Sequence, residues 1–410
     1  MNRKQFLILI ILGLAVGGLG IYLANRQKAS FESSSSPGGE QRVIKDFPLN
    51  EVTQIRILQG TNEVNLVRGD VWTVKERWDY PANFTEVHNL LTKIWELKPV
   101  QEVEVGPSQY GRLELISPAE NKGTNSATLV EFKDGKGTRS ILLGKKHMKE
   151  SPGGGMGMGG GFPVGRYVLA PDSKKVWLVS ETFANVEPKP EHWINKDFFK
   201  VEKVKSVAVT SPNPTNTWSL SRETESGEWK MADLKEGENF DKAKASGLNY
   251  ALSSPSFNDV VSPEAKPEET GFDKATLAKL ETFDGYTYTA TLGGTNEENI
   301  HLKLDVAATL AKERTPAPDE KPEDKEKLDK EFKDKLAKLE EKLKNEERFE
   351  KWTYLVSKYT VDALLKPRTD FLAEKKEEPK PADATSKPAD PNAPPIPTLP
   401  PELTTPPPPK

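Results

Sequence analysis

At 410 residues the chain is long enough for two domains of ordinary size, each with its own core, and its composition of 35% apolar and 29% charged residues suits folded domains plus some solvated sequence. A net charge of -4 without a basic block excludes electrostatic attraction to nucleic acid. The absence of cysteine excludes disulfides, thiolate metal sites, a cysteine nucleophile and a lipid-modified cysteine together.

Residues 6–24 (FLILIILGLAVGGLGIYLA) carry no charge. A helix of that length rises about 1.5 Å per residue and nearly spans a hydrocarbon core of about 30 Å. A cleaved signal peptide has a shorter apolar core, of about 7 to 15 residues, and a small-x-small cleavage site, which Tyr22, Leu23 and Ala24 do not supply. The reading is a retained transmembrane anchor in the cytoplasmic membrane with residues 1–5 in the cytoplasm. The free amino terminus breaks the tie between Arg3 and Lys4 before the span and Arg26 and Lys28 after it. The rest of the chain is then expected on the periplasmic side. Residues 25–46 are a Ser/Gly-rich tether. Residues 373–410 hold 13 of the 33 prolines and form a disordered or polyproline-like tail.

Between tether and tail the sequence repeats itself. Residues 52–57 (VTQIRI), 63–68 (EVNLVR) and 70–74 (DVWTV) alternate apolar with polar, as half-buried antiparallel strands do. Residues 204–209 (VKSVAV), 217–222 (TWSLSR) and 227–231 (GEWKM) do the same, with Trp229 answering Trp72. A helix over 84–97, with Val87, Leu90, Leu91, Ile94 and Trp95 on one stripe, has a weaker counterpart at 240–252. Hairpins around Asp-Gly turns follow at 127–144 and 280–293. Residues 176–180 (VWLVS) match 353–357 (TYLVS), and Asp197, Phe198 and Phe199 match Asp370, Phe371 and Leu372. The expected fold is α+β, with two tandem copies of a mostly antiparallel sheet-plus-helix unit at 47–199 and 200–372.

The copies differ by their insertions. The first carries a glycine-rich loop at 153–161, which has the density of a phosphate cradle. The second joins the equivalent strands through six polar residues, 294–299. A cradle also needs a helix directly after the loop, whereas Phe162 and Pro163 lead into a strand pattern. The loop reads as a hairpin extension, with Met156 and Met158 as a possible contact surface. The second copy's insertion, about 306–350, is a charged helix. Its apolar residues Leu328, Phe332, Leu336, Leu339 and Leu343 form a narrow seam, which either folds onto its own domain or makes a coiled-coil contact.

No motif for chemistry emerges. The four histidines, His88, His147, His192 and His301, include no metal pair. Neither a serine three residues before a lysine nor a Gly-x-Ser-x-Gly elbow is present. No cofactor is expected, and no catalytic residue can be named. An unrecognised carboxylate hydrolase stays open, because 62 acidic residues offer any spacing. Trp78, Trp193 and Trp218 fall in or near turns and are candidates for an exposed binding surface.

As a whole the pattern resembles the bacterial family named domain of unknown function 4340. The likeness is carried by residues 46–52 (DFPLNEV), 69–72 (GDVW), 80–82 (YPA) with the following helix, Tyr110 and Gly111, 142–144 (LLG), 165–168 (GRYV) and 325–365, and it covers most of 46–372. It implies membrane-anchored extracytoplasmic α+β repeats, often encoded beside parts of ATP-binding cassette transporters related to gliding-motility systems. It supplies no catalytic residues. The expected function is that of a non-enzymatic accessory protein with a partner in the cell envelope. The alternative is a module for cell-wall glycan or peptide.

Overall fold

Alternation sets the first sheet. In β1 (Gln54–Gln59), Ile55 and Ile57 are fully buried while Arg56 lies on the opposite face between Glu63 and Glu131, at 2.8 and 3.0 Å. The computed structural model describes residues 42–120, 123, 126–149, 161–170, 174–296, 298–316 and 320–374. The anchor at 6–24, most of the tether, the glycine-rich loop with Met156 and Met158, and the tail from 375 lie outside the described residues. Among the described residues no helix is long and apolar enough to cross a membrane.

Two antiparallel sheets with several helices make an α+β fold. The first contains β1, β2 (Asn62–Arg68), β3 (Trp72–Val74), β4 (Tyr80–Pro81), β5 (Gln101–Val103), β6 (Thr128–Lys133), β7 (Thr138–Lys149), β8 (Phe162–Ala170) and β9 (Lys175–Val179) in the order β4-β3-β2-β1-β6-β7-β8-β9-β5. The second contains β10 (Val204–Thr210), β11 (Trp218–Ser221), β12 (Lys230–Met231), β13 (Phe257–Val261), β14 (Thr276–Thr282), β15 (Tyr286–Asn296), β16 (Asn299–Ala308) and β17 (Thr353–Ser357) in the order β12-β11-β10-β14-β15-β16-β17-β13. Apart from β4 the two orders are the same, element for element.

The main chain also shows which residues correspond. Arg68 N donates to Thr53 O at 2.9 Å, and Arg222 N donates to Lys205 O at 3.0 Å. Ala82 bridges Ile194 and Asn83 N donates to Trp193 O at 2.7 Å, while Phe240 bridges Leu372 and Asp241 N donates to Phe371 O at 2.9 Å. The closing strap of each half is therefore Trp193 with Ile194 and Phe371 with Leu372. Sequence likeness had paired Phe371 and Leu372 with Phe198 and Phe199 instead, because an aspartate precedes both pairs.

Helix α1 (Phe84–Glu96) is capped by Asn83, whose side chain accepts from Glu86 N, and it buries Val87, Leu90, Leu91 and Ile94. Its counterpart is the 3-10 stretch Lys242–Tyr250, which buries only Ala245 and Leu248. With two buried anchors and Gly247 in its middle, the segment has too little apolar stripe to hold an α-helix. After β9 come α2 (Pro190–Trp193) and the junction to β10, and α3 (Pro267–Thr270) precedes β14. A close approach recurs in both halves. A Cβ on Gly144 would stand under 3.0 Å from Leu113 O, and one on Gly293 under 3.0 Å from Thr270 O.

The charged insertion is helix α4 (Lys325–Glu347), followed by the 3-10 turn Arg348–Lys351 and, after β17, α5 (Lys358–Leu365). Leu339 and Leu343 of its seam pack against the core, Tyr286 Oη donates to Leu339 O, and Glu346 is buried. The C-terminal part of the seam is thus folded onto its own sheet. One apolar cluster runs through both halves from Val43 to Phe371, and a smaller one around Leu115, Leu129 and Leu142 lies apart from it. The described residues up to Leu372 form one compact unit.

Candidate binding groove between the halves

The halves meet where the β3–β4 end of the first sheet covers the open edge of β13. Arg77 grips Asp259 through Nε at 2.6 Å and Nη2 at 2.7 Å, and it reaches Glu191 at 3.3 Å. Lys196 donates its ammonium to Phe257 O and Asn258 O, satisfying carbonyls that an edge strand would leave open. Burial lowers the pKa of Lys196, because two main-chain carbonyls replace water only in part. Between these polar clamps, Tyr80 stands edge-on to Trp352 at 4.9 Å and to Phe257 at 6.0 Å. Burial pushes the Tyr80 phenol up to about 12.

Above this seam lies a groove. One pocket, of about 440 Å³, has Trp72, Ala82, Val87 and Leu91 as its floor, and Arg68, Asp70, Val71, Phe84, His88 and Arg348 on its walls. A second, of about 230 Å³, adjoins it and shares Val71, Pro81, Asn195 and Arg348. Arg348 comes from the second half, so the groove is composite. Its rim is unusually apolar for open surface, with Val71 58% and Phe84 64% exposed, and His88 stacks on the Phe84 ring at 5.8 Å.

The arginines divide informatively. Arg56, Arg77, Arg139, Arg314 and Arg368 are held by carboxylates, and the buried Arg166 and Arg222 donate to main-chain carbonyls. Four lack a carboxylate partner among the described residues: Arg42 over the Trp95 ring, Arg112, Arg68, which donates to Asn50 O, and Arg348 over the Phe349 ring, and of these Arg68 and Arg348 line the groove. These two groove arginines thus have no carboxylate partner among the described residues, which leaves their charge to the solvent or to a ligand.

Of the candidate tryptophans, Trp78 is 43% exposed. It and Asp79, which lines the smaller pocket, both have positive φ, so two consecutive side chains with a Cβ adopt the left-handed region. Trp193 and Trp218 correct the expectation of exposure, because both are buried. The Trp193 indole donates to Glu187 O at 2.9 Å. The Trp218 indole donates to Lys366 O at 2.8 Å, with its ring against Phe371. Each indole spans from core to chain and stitches a strap in place, a role that a turn-like sequence hides. The structure does not bring the three together. Met156 and Met158 lie outside the described residues, and Phe162 begins a strand that pairs with Lys149, so a helix N-terminus does not follow the glycines.

Sequence reasoning missed Arg68, Val71, Phe84 and Arg348 as a group. The signal available was Val71 and Phe84 as large apolar residues off the buried pattern, but Arg348 is 280 residues from Arg68 and meets the pocket only through tertiary packing. Among the described residues no group of three or more histidine, aspartate and glutamate side chains is arranged to hold a metal.

The family described as Domain of unknown function (DUF4340) matches residues 72–275, from β3 to the start of β14. No curated protein and no solved structure matches the chain. The matched residues include Trp72, the Tyr80 strand and α1, which line part of the groove, while Arg68, Val71 and Arg348 lie outside them. The chain is a DUF4340 domain-containing protein.

Proposed function

We propose that the protein is a non-enzymatic accessory of the cell envelope, tethered to the cytoplasmic membrane by residues 6–24, which binds another envelope protein through the groove between its halves. The observation that carries this reading is the apolar rim of Val71 and Phe84 around a preformed pocket, with two arginines free of carboxylates beside it. Recognition pockets of this kind combine an apolar anchor site with a few charged groups that orient the partner. Membrane subunits of an ATP-binding cassette transporter are the partner class suggested by the family resemblance. The alternative, a module for wall glycan or peptide, needs several exposed rings in one place; Trp78 is the one candidate tryptophan that faces solvent.

The test is site-specific photo-crosslinking in intact membranes, with the crosslinker at Val71 and a control at exposed Tyr359. Specific recovery of transporter or other membrane subunits from Val71, and not from Tyr359, is the expected result. Equal labelling at both positions, or recovery of wall fragments alone, would count against the proposal.

A further inference from the structure

The second half carries different side chains at positions that correspond to the first half's pocket lining. Arg222, the counterpart of Arg68, is buried. It lies 5.0 Å from the Trp229 ring and donates to Val204 O at 2.8 Å and to Asn249 Oδ1 at 2.9 Å. Phe240, the counterpart of Ala82 by the same bridge and the same main-chain bond, packs against the core. In the first half the tryptophan remains as Trp72, but the arginine has swung to the rim to hold Asn50 O, and an alanine stands where the phenylalanine would be. The pocket of about 440 Å³ lies over this pair, with Trp72 and Ala82 in its floor. The second half carries its own ring at Phe240 and a buried guanidinium at Arg222, whereas the first has a small, buried Ala82 and an exposed Arg68 at those two positions.

We infer that the pocket over Trp72 and Ala82 takes an aromatic side chain from the partner, next to one or more carboxylates that Arg68 and Arg348 receive. The ring supplies the aromatic side chain that the second half has at Phe240 and the first lacks at Ala82, and stacking and edge contacts with Trp72 reward a ring over an aliphatic chain. In the larger pocket Asp70 is the one carboxylate against two arginines, whereas Asp79 and Asp197 line the smaller pocket that shares Arg348, so an acidic flank is favoured on the side of the larger pocket. Acidic and aromatic residues in one short segment satisfy both halves of the site, whereas a basic segment meets like charge at Arg68 and Arg348.

This rests on the accessory reading above, and the test separates the two. The probes are fluorescent hexapeptides with a phenylalanine flanked by aspartate and glutamate, one control with the phenylalanine replaced by alanine, and one with the acids replaced by lysine. Anisotropy is read on the full-length protein in nanodiscs. The acidic aromatic peptide is expected to bind at least tenfold more tightly than either control. Ala82→Phe, which copies the second half's residue at that position, and Arg348→Glu, an exposed change, should each remove that preference; Val71→Asp on the rim should weaken it without touching the core. Melting curves confirm that each variant is folded, and if Ala82→Phe is not, Arg348→Glu and Val71→Asp decide. Equal binding of the three peptides, no binding of any, or an undiminished preference in the folded variants would overturn the inference. If Val71 still crosslinks a membrane partner in Ala82→Phe, the accessory reading stands and the aromatic anchor falls; if Val71 captures nothing in the wild type, the accessory reading itself falls.

Discussion

Glu346 shows how a single residue can join distant parts of the chain. Its carboxylate accepts from Tyr288 Oη at 2.7 Å and from Lys200 N at 3.0 Å, so the end of α4, the second sheet and the junction between halves meet at one side chain. Burial pushes its pKa above the usual 4.5, outweighing the bonds to Tyr288 and Lys200 and the Lys342 ammonium at 4.0 Å. A carboxyl whose folded pKa is raised contributes stability below its unfolded value, and that contribution is lost as pH rises through the raised value. Glu346→Gln should therefore melt higher than the wild type at pH 7, with the difference shrinking towards pH 4; a variant less stable at pH 7 would contradict the assignment. The tryptophans divide in the same way. Trp218→Ala empties a core site and orphans Lys366 O, so it should cost about 3–5 kcal/mol in denaturant unfolding. Trp78→Ala, at a half-exposed ring, should cost about 1 kcal/mol or less and reveal any role in binding instead.

At the scale of elements, the duplicated glycines give the clearest demand. In each half the carbonyl of a preceding helical turn, Leu113 or Thr270, comes so close to the hairpin strand that any Cβ must displace main chain. Gly144→Ala and Gly293→Ala are each expected to destabilise by about 1–3 kcal/mol, measured by urea midpoint. An effect at one glycine alone would mean that the two approaches are not equivalent. Helix α4 makes a different case. Its apolar seam suited either an intramolecular or an intermolecular contact, and the packing of Leu339 and Leu343 with the bond from Tyr286 to Leu339 O assigns that part of it to its own sheet. Spacing alone could not choose, because a seam records that a face is covered and not by what.

For the molecule as a whole, the shared core and the clamp of Arg77 on Asp259 predict cooperative behaviour. Thermal unfolding followed by far-ultraviolet and near-ultraviolet circular dichroism should give coincident single transitions; two separated steps would show that the halves fold independently. Head-to-tail contact also explains why the groove exists. The edge that covers β13 leaves the β3–β4 turn and α1 beside Arg348, so the first half's pocket opens on the junction rather than on a free end.

The strands other than β4, β5 and β13, α1 with its buried Val87, Leu90, Leu91 and Ile94, the long charged helix and the Trp72–Trp229 correspondence were legible in the sequence, because alternation and helical periodicity record which side of each element meets water. The strap equivalence was not, since it is written in main-chain bonds from Asn83 and Asp241 rather than in side-chain types. The groove was not either. Arg68 and Arg348 become neighbours only when two sheets dock, and Trp193 and Trp218 look like surface residues until the chain folds back over them to accept their N–H groups. Local pattern determined the elements; long-range packing, which no local window contains, decided where a ligand could enter.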